Sequence, residues 1–162
     1  MGIKAALIGI SLAGMLANAA HAEWKTTGRE DRLADKTVKL TFVTAKAADK
    51  GVTARLDIYC LGFKDETSPV VSLETTANFS PGRMGMRYRL DAEEPEPRYM
   101  PVSTSGRGMA LWAQPKTFFG KRKLRVELQP SRSPSLFFEF DITGTEQAIR
   151  GLGCKKLDPI DG

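Results

Sequence analysis

The sequence predicts an all-β fold: a β-sandwich or small barrel of about eight antiparallel strands, closed by one short C-terminal helix. Three observations carry this. Apolar residues recur with period two through most of the chain, turn-forming clusters separate these runs at short intervals, and a helical pattern occurs once, near the end.

The first 22 residues stand apart from this pattern. Lys4 gives a positive start, Ala5 to Leu16 is an apolar run, and Ala20-His21-Ala22 has the small-x-small form cut by signal peptidase. A run of twelve residues is too short for a membrane-spanning helix, which needs about 20. Residues 1–22 are therefore expected to be a signal peptide cut after Ala22. Residues 23–162 then form a single β-rich domain, periplasmic or secreted, with no transmembrane segment. The mature chain would carry 23 basic and 19 acidic residues, a net charge of +4, and no histidine.

A polar lead-in from Glu23 to Lys36 opens that domain, with Trp24 its one large apolar residue. Val38, Leu40 and Phe42 then alternate with Lys39 and Thr41, and Leu56, Ile58 and Cys60 alternate with Arg55, Asp57 and Tyr59. Asp49-Lys50-Gly51 is a hairpin signal between them. Val70 to Thr76 is a β-branched strand. Met84, Met86, Tyr88 and Leu90 form the apolar face of the next, opposite Arg83, Gly85, Arg87 and Arg89.

Ala92 to Arg98, acidic and interrupted by Pro95 and Pro97, is predicted as a surface loop. Tyr99 to Ser103 and Met109 to Ala113 flank a turn at Thr104-Ser105-Gly106-Arg107-Gly108, and Pro115 to Gly120 is a short connector. Leu124, Val126 and Leu128 alternate, as do Leu136, Phe138, Phe140 and Ile142. Thr143-Gly144-Thr145-Glu146 fits a capping box with Thr143 as cap. Ala148, Ile149 and Leu152 then share one helical face, ended by Gly151 and Gly153.

Cys60 and Cys154 are an even pair in a chain expected to be exported, which predicts one disulfide. It would close a loop of 94 residues, worth about 4–5 kcal/mol by chain entropy and about 2–4 kcal/mol by typical measurement. The spacing has nothing of a redox Cys-x-x-Cys.

Without histidine, a Ser-His-Asp or Cys-His arrangement is excluded in the mature chain. The G-x-S-x-G and S-x-x-K signatures are missing from it. Asp91, Glu93, Glu94 and Glu96 sit in the Pro-rich loop, where solvated carboxylates keep ordinary acidity, and their spacing fits no EF-hand. Gly106-Arg107-Gly108 lacks phosphate-loop spacing. The sequence thus points to a non-enzymatic protein with no cofactor and no metal.

Charge carries the remaining functional signal. Between Arg98 and Ser135 stand eight basic residues and one acid, Glu127. Parity places Arg87 and Arg89 on one strand face. Together with Lys121, Arg122 and Lys123 they form the candidate binding surface, suited to an acidic protein surface or an anionic envelope component rather than nucleic acid. Trp112, Phe118 and Phe119 are a second candidate, an aromatic platform for a ligand.

Several segments resemble the VasI/TagO-like exported proteins associated with type VI secretion. They are Trp24, Leu56-Asp57-Ile58-Tyr59-Cys60, Met86-Arg87-Tyr88-Arg89-Leu90-Asp91, Leu124 to Pro130, Phe138 to Gly144, and the close through Ala148, Ile149, Leu152 and Cys154. Lys155 and Lys156 stand where that pattern would carry an aromatic. The resemblance implies a periplasmic accessory or interaction protein of a type VI-like secretion machine. The alternatives are an envelope-glycan or small-ligand binding domain, or an inhibitor of a cell-wall hydrolase. N-terminal sequencing of the exported protein is expected to begin at Glu23, and recovery of a form beginning at Met1 would contradict the export reading.

Overall fold

Alternating strands bury their apolar face only by packing sheet on sheet, and the observed architecture follows from that demand. The structure is a computed structural model; it describes residues 22–31, 36–45, 51–63, 66–102, 108–111 and 115–155. The expected signal segment therefore lies, but for Ala22, outside the described residues, as do Trp112 and the turn at 103–107. Nine strands occur: β1 (Lys25–Asp31), β2 (Lys36–Thr44), β3 (Ala54–Phe63), β4 (Glu66–Thr75), β5 (Gly82–Leu90), β6 (Glu96–Val102), β7 (Gly108–Leu111), β8 (Lys123–Gln129) and β9 (Leu136–Asp141). A 3-10 turn (Pro115–Phe118) precedes β8, and one helix, α1 (Thr145–Leu152), follows β9.

All pairings are antiparallel, in the order β1-β2-β3-β4-β7-β6-β5-β8-β9. A single bridge, Val102↔Met109, joins β6 to β7. It divides the ladder into a five-stranded sheet, β1 to β4 with β7, and a four-stranded sheet, β6-β5-β8-β9. Pro97 and Pro101 lack amide hydrogens, so β6 cannot sustain a second full ladder beside the one it makes with β5. Among the described residues no ladder joins β1 to β9; the sandwich stays open rather than closing into a barrel.

One core holds the inner faces of both sheets. Leu56, Ile58, Val71 and Leu73 meet Met86, Leu90, Leu124, Leu128 and Phe140, each almost fully buried. Phe118 plugs this core from the 3-10 turn, and Ile142, Ile149 and Leu152 extend it under α1. Cys60 of β3 is bonded to Cys154, just beyond α1, with Cα atoms 5.5 Å apart. Near the other end of the chain the Trp24 indole N–H donates to the Thr143 carbonyl at 3.0 Å, so both flanks of α1 are tied to the sheets.

The structure corrects the expected elements in four places. The polar lead-in contains β1, an edge strand without an apolar face, held by its register on β2. In β2, Thr41 and Val43 reach the core, while Leu40 and Phe42 are half-buried on the opposite face. Thr41 is tolerated inside because its hydroxyl donates to the Lys25 carbonyl at 3.2 Å. The expected loop to Arg98 gives way at Glu96 to β6, which pairs with β5 through Tyr88↔Glu96. The capping box does not form. Gly144, with a φ of 82°, is the cap residue, and it offers no side chain. Glu146 pairs with Arg150 one turn on, and Asp141 accepts the Thr143 N–H.

Cys60→Ser is expected to lower unfolding free energy by about 2–4 kcal/mol. Phe140→Ala should cost about 3–5 kcal/mol, as for other large core aromatics. Its exposed neighbour is the control: Phe137→Ala should stay within about 0.5 kcal/mol. Denaturant titrations check all three.

Candidate functional site

The alternation that sends Met86, Tyr88 and Leu90 inward sends Arg87 and Arg89 outward, and β8 and β9 obey the same rule. Register then aligns the outward residues in rows. Arg87 lies across from Glu127, which lies across from Phe137; Arg89 lies across from Arg125, which lies across from Glu139. These rows and Pro95, from the turn after β5, line an open groove of about 440 Å³ on the outer face of the four-stranded sheet. Phe137 is 59% exposed there. Tyr99, 72% exposed, continues the same outer face on β6, with the Arg83 guanidinium 5.3 Å from its ring.

Of the five candidate cations, Arg87 and Arg89 line this groove, Lys123 opens β8, and Lys121 and Arg122 precede it. Arg87 Nη1 is 3.3 Å from Glu127 Oε2. Lys121 pairs with Glu93, whose hydrogen bond raises the lysine pKa. Arg122 is exposed, and its backbone N–H, like that of Lys123, donates to Asp91 Oδ1. Lys123 Nζ is 2.9 Å from Glu139 Oε1, while Arg125 Nε is 2.9 Å from Oε2 of the same carboxylate. Those two contacts, Lys123 first, hold the Glu139 carboxyl below its usual range. Arg89 is half-buried, and among the described residues no carboxylate lies within ion-pair distance of it.

The loop acids are likewise engaged. Asp91, at a φ of 48°, braces the start of β8 through the two backbone amides. Glu96 accepts from the buried Tyr88 hydroxyl at 2.9 Å and from Arg98 at 3.2 Å, which lowers its pKa. Among the described residues no group of three or more His, Cys, Asp or Glu is placed to hold a metal ion. Of the aromatic platform, Phe118 is fully buried and Phe119 half-buried against the core.

Two features escaped the sequence reading. Phe137 could have been found by parity: if Leu136, Phe138 and Phe140 face the core, the phenylalanine between them must face out. The other is a charged cluster on the opposite sheet, where Asp57 is 6% exposed. Arg55 Nη2 donates to Asp57 Oδ2 at 2.9 Å, pairs with Glu74, and lies with its guanidinium 4.8 Å from the Phe42 ring. The Arg55 Nε to Asp57 Oδ1 contact of 2.6 Å is ionic rather than a well-aligned hydrogen bond. Burial raises the Asp57 pKa despite Arg55.

Comparison of the chain with protein-family models, curated proteins and solved structures finds no match.

Glu139 and Asp57 act oppositely on stability. Glu139, with its pKa lowered by folding, stabilises fully above the unfolded carboxylate pKa, and this is lost as pH falls through the lowered folded value. Asp57, with its pKa raised, opposes folding above its folded value, and that cost is relieved on acidification. Glu139→Gln should therefore lower stability at about pH 6 by a few tenths of a kcal/mol, as for exposed pairs. The mutant deficit should shrink as pH falls from about 6 through the carboxylate range, and vanish only below the lowered folded value. Urea midpoints across that range check the sign.

Proposed function

We propose that this protein is a non-enzymatic accessory of the bacterial envelope, acting outside the cytoplasm and binding a partner across the outer face of β5, β8 and β9. The observation that carries the reading is the groove there, lined by an exposed phenylalanine and by a half-buried arginine that has no acid within ion-pair distance among the described residues. A large exposed aromatic next to arginine is the composition enriched at protein interfaces. The Cys60–Cys154 disulfide supports an oxidising compartment. Among the described residues no helix is long and apolar enough to cross a membrane. The resemblance to the VasI/TagO-like proteins supports service to a type VI-like secretion machine.

A small-ligand reading rests on the groove's volume, which lies within the usual range for ligand sites, about 300–1,000 Å³. Soluble cell-wall fragments would then occupy the same face.

A photo-crosslinking amino acid in place of Phe137 tests the surface in intact cells. A specific adduct with an envelope protein at position 137, lacking when the same probe replaces Leu61 on the other sheet, is the expected result. Adducts at Leu61 and none at 137 would overturn the reading. Loss of the 137 adduct on adding soluble cell-wall fragments would favour the small-ligand alternative.

A further inference from the structure

Building on the reading of this face as a docking surface, we propose that the groove takes an acidic peptide segment of a partner protein. One carboxylate sits between Arg89 and Arg125, and the adjoining apolar side chain packs on Phe137. Arg89 and Arg125 are direct cross-strand neighbours, a placement in which like charges repel and destabilise the pair. The acids of the sheet relieve it only on the Arg125 side. Glu139 has one oxygen on Lys123 and the other on Arg125 Nε, and Glu127 is on Arg87. Among the described residues the Arg89 guanidinium therefore remains without a carboxylate in ion-pair distance, while Arg125 meets Glu139 through Nε. Guanidinium forks match a carboxylate in a bidentate way. An anion bridging the two arginines removes the repulsion that the bare face carries.

The uncompensated charge is local. Lys121, Lys123 and Arg87 each face an acid and Arg83 lies against the Tyr99 ring, so less of the face is left as the broad positive field that an anionic membrane or a polyanionic glycan requires. A single carboxylate fits it better. The exposed Phe137 ring and Pro95 add apolar surface beside the arginines, which a small carboxylate alone would leave uncovered. An extended peptide alternating acidic and apolar side chains supplies both.

The test uses the full mature protein and, as probe, an acetylated, amidated tetrapeptide of alternating phenylalanine and aspartate. Amide chemical-shift changes at Arg89, Arg125 and Phe137 are expected. Arg89→Gln should weaken binding about tenfold, in line with loss of a charged hydrogen bond, without lowering the melting temperature. Arg89→Lys should recover part of the affinity. The control Arg83→Gln should bind like wild type, and the same peptide with asparagine for aspartate should bind as weakly as Arg89→Gln leaves the parent. Equal binding by Arg89→Gln, equal binding of the asparagine peptide, or no shifts at these amides at millimolar peptide would each overturn the proposal. Arg89-dependent capture by phosphatidylglycerol vesicles with no peptide binding would overturn it in favour of a lipid surface. A crosslink at position 137 that ignores Arg89→Gln would sink the carboxylate proposal while leaving the docking face standing. Neither crosslink nor shift would sink both.

Discussion

The inward rows of the four-stranded sheet set everything on its outer face. Met86 lies across from Leu128, which faces Leu136. Tyr88, Val126 and Phe138 form the next row, and Leu90, Leu124 and Phe140 the third. All nine side chains are buried. A slip of one residue on any of these strands would turn its buried set to water and its charges into the core, a cost no surface interaction could offset. The register is therefore held by burial, and the charges must accept the neighbours it assigns them. That is how Arg89 comes to face Arg125, and why Glu139 ends up shared by two cations while Arg89 has no acid in ion-pair distance among the described residues.

The same constraint explains what a linear count of charge conveys and omits. The stretch from Arg98 to Ser135 is strongly basic as a string. In space Glu93 comes to Lys121 from the turn after β5, and Glu139 comes to Lys123 and Arg125 from β9. Surface pairs of this kind contribute little stability, about 0–1 kcal/mol each, but they decide where charge is left over. The remainder is a place on the sheet, beside Phe137, more than a field.

Strands with one clean apolar face were legible to within a residue or two. β5, β8 and β9 alternate without interruption, and their inward sets were visible in advance. β1 was not, because Lys25–Asp31 has no apolar face and forms through pairing alone. β2 misled because Leu40 and Phe42 look like core; the true inward pair, Thr41 and Val43, depends on a hydroxyl satisfied by the Lys25 carbonyl. The capping box failed for a backbone reason: Gly144 in the left-handed region leads the chain into α1, and Thr143 instead offers its carbonyl to Trp24. The disulfide was legible from an even cysteine pair, whereas the Asp57–Arg55–Glu74 cluster required the fold, since nothing in an alternating strand marks one outward acid as buried.

Among the described residues, register leaves Arg89 without an acid in ion-pair distance. Two double-mutant cycles, one for Arg125 with Glu139 and one for Arg89 with Glu139, measure this directly through stability. The account predicts coupling of a few tenths to about 1 kcal/mol for Arg125 with Glu139, and none within error for Arg89 with Glu139. Coupling of Arg89 to Glu139 as strong as that of Arg125 would show that Arg89 is already paired within the sheet, and would contradict the account.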